Sequence, residues 1–207
     1  MSDNSLQPTV CVVDDDEAMR DSIHWLLESV SLRARMFSSA SDFLSSADLG
    51  REGCILLDVR MPGMSGMELL EHLKANGVQQ PVIIITGHGD VPMAVRALKH
   101  GAFDFIQKPF NGQELLDRVN AALKLDRENR QRNFAMASLR SHFEGLTGRE
   151  REIMELVVSG DSSKIIGKKL GISSRTVDIH RSNIMKKLNI HNIAELVQIR
   201  LALDDTP

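Results

Sequence analysis

The stretch Cys54-Ile55-Leu56-Leu57-Asp58-Val59-Arg60-Met61-Pro62-Gly63-Met64-Ser65-Gly66 decides how this chain is read. An apolar run of this length, bounded by turn formers, fits a strand buried on both faces. Such a strand delivers the Asp58 carboxylate into a Gly/Pro-containing loop. That places it at the carboxyl edge of a sheet, where open α/β sheets bind their ligands. Working outward, Val10-Cys11-Val12-Val13 ends on Asp14 and Asp15, Val82-Ile83-Ile84-Ile85 ends on Thr86, and residues 103–107 end on Lys108-Pro109. A short alternating strand spans residues 32–37. Between the runs, apolar residues fall at helical spacing: Met19, Ile23, Leu26, Leu27 and Val30, then Met67, Leu70 and Leu73 before the stop at Asn76-Gly77. Shorter helices are expected over 41–47 and 91–100. Asn111-x-x-Glu114 opens another as a capping box, with Leu115, Leu116, Val119, Ala122 and Leu123 inside. Five parallel strands with intervening helices predict a doubly wound, flavodoxin-like α/β sheet.

The strand ends bring acids, a hydroxyl and an amine to one edge, which equips it for Mg2+ and a transferred phosphoryl group. Aspartate acts as a nucleophile and forms acyl-phosphates, and phosphoryl transfer needs positioning and charge neutralisation above all. Asp58 is the candidate phosphoacceptor. Asp15 and Asp58 would be direct metal ligands, with Asp14 binding through water and the Arg60 carbonyl completing the set. Lys108 would pair with one phosphoryl oxygen and Thr86 donate to another. Taken singly, each has a plainer reading: Asp14–Glu17 as helix-capping acids, Lys108 as a solvated surface lysine, Thr86 as a strand-end residue, Asp58 as a turn former. Their joint arrival at successive strand ends is what favours chemistry.

The chain has 207 residues, enough for two small domains, with 42% hydrophobic and 26% charged side chains. No stretch approaches the ~20 apolar residues of a membrane span, and residues 1–5 lack the pattern of a signal peptide. Cys11 and Cys54 sit inside apolar runs and read as small buried hydrophobes. A reducing, cytoplasmic setting without membrane attachment is expected. The charge is uneven: residues 1–125 hold 11 basic and 17 acidic side chains, residues 140–207 hold 11 and 9. An acidic front and a mildly basic back point to different partners for each.

Residues 126–133 (DRENRQRN) are polar on every side, so a helix there would be solvent-bridging. The expected organisation is a phosphoacceptor domain over 1–125, a linker over 126–142 that is either helical, with Phe134, Met136, Leu139 and Phe143 available for packing against a neighbour, or flexible, and an all-helical domain over 143–207. Four helices are expected in that domain. Thr147-x-x-Glu150 is a capping box for the first, which carries Ile153, Leu156 and Val157 inside. The second and third are joined by only Gly171-Ile172-Ser173, a turn typical of helix-turn-helix units. The third presents Arg175, Asp178, Arg181, Ser182 and Lys186 away from its apolar face, as a recognition helix does. The plainer reading of a basic outer face is a solvated surface.

The segments VVDDDE, LLDVRMPGMSGMELL, IIITGHGD and FDFIQKPF resemble a response-regulator receiver domain over about residues 8–125, closest in wording to the FixJ-like group. The resemblance implies Asp58 as phosphoacceptor, Asp14 and Asp15 as the acidic Mg2+ pocket, Thr86 and Phe105 as switch residues, Lys108 as the phosphate-pairing lysine, and a cis Lys108-Pro109 bond. The segment LTGREREIMELVVSG…KIIGKKLGISSRTVDIHRSNIMKKL resembles the LuxR-type (FixJ/NarL-like) DNA-binding domain over about 143–203. Carried over, Thr176, His180, Arg181, Lys186 and Lys187 would serve the DNA backbone, with Arg175 on the same surface. Asp178, Ile179 and Ser182 would face bases. Two departures stand out: an acid at Asp178, and Gly167 where Ala is common, which would weaken the second helix by about 1 kcal/mol.

The resemblance implies a transcriptional activator of a two-component system, not an enzyme. Its expected partners are a sensor histidine kinase, promoter DNA and RNA polymerase, and phosphorylation is expected to produce a homodimer. The pairing surface is expected on 91–100 and 113–125, with Met93, Val95, Arg96, Leu98 and Lys99 as contacts. Ile193, Val197 and Leu201 would form a second. Two rival readings are a haloacid-dehalogenase-type phosphatase, which shares the Asp14-Asp15-Asp16 start but lacks its later residues around Gly89-Asp90, and an adaptor whose back domain binds only protein.

Overall fold

A computed structural model of the protein describes residues 7–87 and 91–204; Gly89 and Asp90, used against the phosphatase reading, lie outside the described residues. The chain divides after Arg130 into two compact units. The first contains β1 (Thr9–Val13), α1 (Glu17–Ser29), β2 (Arg33–Phe37), α2 (Ala40–Ser46), β3 (Gly53–Asp58), α3 (Gly66–Ala75), β4 (Val82–Thr86), α4 (Val91–Lys99), β5 (Asp104–Gln107) and the beginning of α5 (Gly112–Glu144). The strands are all parallel in the order β2-β1-β3-β4-β5, the doubly wound sheet that the alternating runs predict.

Helices cover both faces of this sheet, which is why its central strands are continuous apolar runs. Val13, Ile55, Leu57 and Ile84 pack with Phe43, Leu69 and Leu70 on one face. Val12, Leu56, Ile83 and Ile85 pack with Ile23, Leu27, Leu115 and Val119 on the other. Cys11 belongs to the first cluster and Cys54 to the second, so strand alternation points them to opposite faces and keeps them unbridged. Burial pushes the Cys11 thiol up to about 11 and Cys54 higher still, leaving both as inert packing groups.

The expectation of a solvent-bridging helix from residue 126 is corrected here. Asp126 is fully buried, because it continues the inward stripe Leu115, Val119, Ala122 of α5 at helical spacing. Its Oδ2 accepts from the Gly53 N–H at 2.9 Å and from Arg130 Nε at 2.7 Å. Arg130 in turn donates to the carbonyls of Gly50 and Arg51, and Arg127 pairs with Glu52 at 3.0 Å. The polar residues of this turn are thus a clamp on the amino edge of β3. Phe134, farther along, is 79% exposed.

The second unit contains the end of α5, then α6 (Gly148–Val158), α7 (Ser163–Leu170), α8 (Ser174–Leu188) and α9 (Ile193–Asp204). Its core gathers Leu146, Ile153, Met154, Val157, Ile166, Val177, Ile184, Leu188 and Leu196, with Phe143 against the edge. Gly171 ends α7 in the left-handed region (φ 67°), which opens the tight turn into α8. Gly167 does more than weaken α7. A Cβ there would stand 2.7 Å from the Ile172 carbonyl oxygen, so the close turn outweighs the propensity cost expected from sequence. The Leu201 side chain lies outside what the structure describes.

Asp126→Ala leaves the Gly53 N–H and the Arg130 guanidinium without their shared carboxylate. The expected loss is about 2 kcal/mol of stability in the first unit, below the range for a wholly buried pair because Arg130 is partly exposed. Native-state hydrogen exchange checks this: the Gly53 amide should lose its protection, with the β1 and β3 amides exchanging faster in parallel.

Candidate functional site

At the carboxyl edge of the sheet, β1, β3 and β5 bring three charged side chains to one point. Lys108 Nζ donates to Asp14 Oδ2 at 2.8 Å and to Asp58 Oδ1 at 2.6 Å. Both carboxylates are buried, at 1% and 6% exposure. The Asp14 carboxylate also accepts from the Asp16 N–H, and Asp58 Oδ2 accepts from the Arg60 N–H at 2.6 Å. Burial pushes the Asp58 carboxyl above its ordinary range, with Lys108 pulling it down and Asp14 adding to the rise. Burial alone would lower Lys108, but the two carboxylates outweigh it and hold its ammonium above the usual value. The Lys108–Pro109 peptide is cis, and the Lys108 N–H donates to the Thr86 carbonyl at 2.7 Å.

Thr86 is buried at the end of β4. Phe105 is half-buried on β5, opposite Ile84 in register, and packs in the same cluster as Ile84. Two-residue alternation therefore places Thr86 and Phe105 on one sheet face. Gly66 closes the loop after Asp58. A Cβ on it would come within 2.0 Å of the Asp58 carbonyl oxygen, so only glycine lets α3 start that close to the acid.

Asp15 is exposed, and among the described residues no group of three acids or other ligands closes on one point. The acidic set expected from sequence is thus brought together in part: Asp14 and Asp58 converge, with Arg60 beside them, and Asp15 stands outside. Two converging carboxylates still suit Mg2+, which takes one or two and retains waters.

In the second unit, Arg175, Ile179, Ser182 and Lys186 are all exposed on α8 and spaced so that they share one helix face. Ile179 is 55% exposed. Beside this stripe, Ser163 Oγ donates to Asp178 Oδ1 at 2.6 Å and accepts from Arg181 Nη1 at 3.0 Å. These contacts brace α8 against the first residue of α7. Ser173 caps α8 by accepting from the Thr176 N–H, and its hydroxyl pairs with that of Thr176.

The comparisons agree with both halves of this geometry. Residues 10–120 match the response regulator receiver domain, and residues 144–200 match the bacterial regulatory proteins of the luxR family. The chain belongs to the response regulators. It is 41% identical to the response regulator protein TodT of Pseudomonas putida strain F1 over 100% of this chain and 90% of that protein. It is 43% identical to the transcriptional regulatory protein FixJ of Azorhizobium caulinodans over 96% and 94% of the two chains. The structure of the response regulator StyR matches with a TM-score of 0.86 and 44% identity, covering 95% of this chain and 99% of that one. Full-length FixJ from B. japonicum matches with a TM-score of 0.59 and 38% identity, covering 94% and 96%.

This response regulator is therefore a two-component transcriptional regulator with a LuxR-type DNA-binding domain. The receiver implies a histidine kinase partner and the second domain implies DNA. No described helix is long and apolar enough to cross a membrane.

One expected DNA contact already has a partner within the regulator's second unit. Lys187, though exposed, has its Nζ 2.7 Å from Glu150 Oε2 at the start of α6. Glu150 also accepts from the Thr147 N–H and hydroxyl, closing the capping box. Asp178 and Arg181 are committed to Ser163, and His180 is half-buried, its Nδ1 unpartnered among the described residues. Asn189 and His191, missed in the sequence, line the same concave surface as Arg181, Ser182 and Lys186. Asn189 holds φ 53°, the left-handed cap of α8; an Asn after a helical run was the available signal.

The Lys187 ammonium holds the Glu150 carboxyl down to about 2, helped by Thr147 and opposed by burial. A depressed folded value stabilises fully above the unfolded value near 4.5, and this contribution is lost as pH falls toward about 2. Glu150→Gln should cost about 1 kcal/mol at neutral pH. Calorimetric melts of wild type and variant should then converge between pH 4.5 and 2.

Proposed function

We propose that this response regulator is phosphorylated on Asp58 by a partner histidine kinase and thereby acquires tighter, dimeric binding to promoter DNA. The observation that carries this reading is the half-buried Lys108 ammonium shared by the buried Asp14 and Asp58 carboxylates. An Asp58 oxygen attacks the phosphorus of the donor, and the donor nitrogen leaves with the bonding electrons. The Lys108 ammonium, already 2.6 Å from the attacked carboxylate, stays to neutralise the new phosphoryl oxygens. Asp14 and Asp58, with the Arg60 carbonyl and Asp15 at the rim, would hold Mg2+, which would add further charge neutralisation. Thr86 turns its hydroxyl to the phosphoryl group and Phe105 moves on the same face.

The change then reaches α4 and the beginning of α5. Val95 and Leu98 are already 47% and 41% exposed there, with Arg96 and Lys99 alongside, which suits pairing with a second copy. Moving an equilibrium from mostly inactive to mostly active takes roughly 5 kcal/mol of differential interaction. A phosphoryl charge of nearly −2 beside a half-buried ammonium is of the right order.

For the output, we assign the receiver to residues up to Arg130, where the clamp ends, and the DNA-binding domain to 143–207. Arg175, Ile179 and Ser182 form the reading stripe, Ile179 suiting the thymine methyl, with Lys186 on the same face serving the DNA backbone. Asp178 and Arg181 hold the reading helix in place, and Thr176 and His180 flank the backbone. Two such helices in a dimer suit a two-fold operator with half-sites about one turn apart. Ile193, 41% exposed, and Val197 on α9 offer a second contact between copies. We assign the protein to the cytoplasm and an activating role, through contact with RNA polymerase.

Beryllofluoride with Mg2+ should raise operator affinity of the wild-type protein at least tenfold and leave Asp58→Asn unchanged in gel-shift titrations. A retained response in Asp58→Asn overturns the assignment. Salt titration tests the helix reading: Lys186→Ala should weaken all sequences alike and reduce the log–log slope by about 1, and Lys187→Ala should leave the slope alone.

A further inference from the structure

Ser163 is the first residue of α7, yet its hydroxyl meets two side chains of α8. It donates to Asp178 Oδ1 at 2.6 Å and accepts from Arg181 Nη1 at 3.0 Å. A carboxylate only accepts and a guanidinium only donates, so chemistry settles the direction of both bonds. Asp178 and Arg181 stand three positions apart on one helix, a spacing at which an acid and an arginine meet as a direct ion pair. Among the described residues they form no such pair, and the serine oxygen joins them instead.

The Ser163 oxygen takes one N–H of the Arg181 fork. The other N–H groups have no partner among the described residues. Arg181 is half-buried and lines the concave surface that also holds Ser182 and Lys186. A guanidinium there matches the oxygens of a backbone phosphate two at a time. Asp178 lines the same surface and is the competitor for that fork. A direct Asp178–Arg181 pair would neutralise the arginine where DNA needs its charge. The hydroxyl gives each charged group a partner and so keeps the acid from taking the arginine.

We infer that Ser163 is a positioning residue for DNA binding: its hydroxyl keeps Asp178 from capturing Arg181, and the free edge of the guanidinium meets a backbone phosphate. The inference rests on the DNA reading of α8 and is independent of phosphorylation on Asp58. It also gives Asp178 a part in the interface without a base to read, since the acid orients the serine that aims the arginine.

Fluorescence anisotropy of the full-length protein on a short random-sequence duplex, over a range of salt concentrations and without beryllofluoride, tests this. Arg181→Ala should weaken binding roughly fivefold and reduce the log–log salt slope by about 1. Ser163→Ala should reproduce at least half of that loss of slope, although it removes no charge. A role confined to bracing α8 would lower stability and leave the number of phosphate contacts unchanged. The effect of Ser163→Ala should vanish in an Asp178→Ala background, where no carboxylate is left to capture the arginine. Taking Asp178→Ala alone as the reference cancels the general gain from removing an acid. Ser163→Thr keeps the hydroxyl and should keep the wild-type slope. A Ser163→Ala slope equal to that of wild type overturns the inference, as does a Ser163→Thr slope as low as that of Ser163→Ala. So does a Ser163→Ala effect that persists undiminished beside Asp178→Ala, which is also what a misfolded variant would give. Wild-type affinity indifferent to salt overturns the DNA reading itself, and this inference with it.

Discussion

The Lys108 ammonium lies within hydrogen-bonding distance of two buried carboxylates that come from different strands. Without it, Asp14 and Asp58 would be like charges in a site that water barely reaches, and burial already pushes Asp58 toward its neutral form. With it, the rise is opposed, because the Lys108 ammonium favours the charged form of both carboxylates at the sheet edge. The rest of the first unit follows as a scaffolding problem. Residues 14, 58 and 108 are remote in sequence, and a parallel sheet with β1 next to β3 and β5 two strands away brings their carboxyl ends together. The apolar runs that make such a sheet possible are the same runs that end on these side chains.

A similar economy appears in the second unit. Glu150 caps α6 and receives Lys187 from the last turn of α8, so the reading helix is tied at its far end by a side chain that could otherwise have served DNA. At its near end Ser163 links Asp178 and Arg181 to α7. These contacts determine which of the polar residues of α8 remain outward. An acid at position 178 is therefore understood through its neighbour on α7 before any base is considered. It keeps one arginine and one serine in place, and the exposed stripe from Arg175 to Lys186 is what remains.

The five strands, their parallel doubly wound sheet and the convergence of Asp14, Asp58 and Lys108 at its edge were legible because they rest on local pattern: four or five apolar residues followed by a polar or charged side chain. What was hidden depended on partners distant along the chain. Asp126 fell on the inward stripe of α5 by period, but its residue type argued for solvent. Its partner, the Gly53 N–H, is 73 positions away, and no reading of an isolated polar stretch supplies it. The Lys187 ion pair was hidden in the same way, since a lysine near a helix end gives no sign that a buried glutamate 37 residues earlier awaits it. Gly167 looked like a propensity defect because the Ile172 carbonyl that crowds it becomes a neighbour only after the turn has formed.

The two edges of the sheet differ in charge. At the carboxyl edge, the Asp14 and Asp58 carboxylates meet one cation, Lys108. At the amino edge, Arg33, Arg35 and Arg51 line a cavity beside Asp48, which Arg51 engages, and the buried Gln80 carbonyl oxygen has no hydrogen-bond partner among the described residues. The Arg51 carbonyl that takes the Gln80 amide proton also accepts from Arg130. The wall of this cavity is therefore joined by one peptide group to the clamp that holds α5.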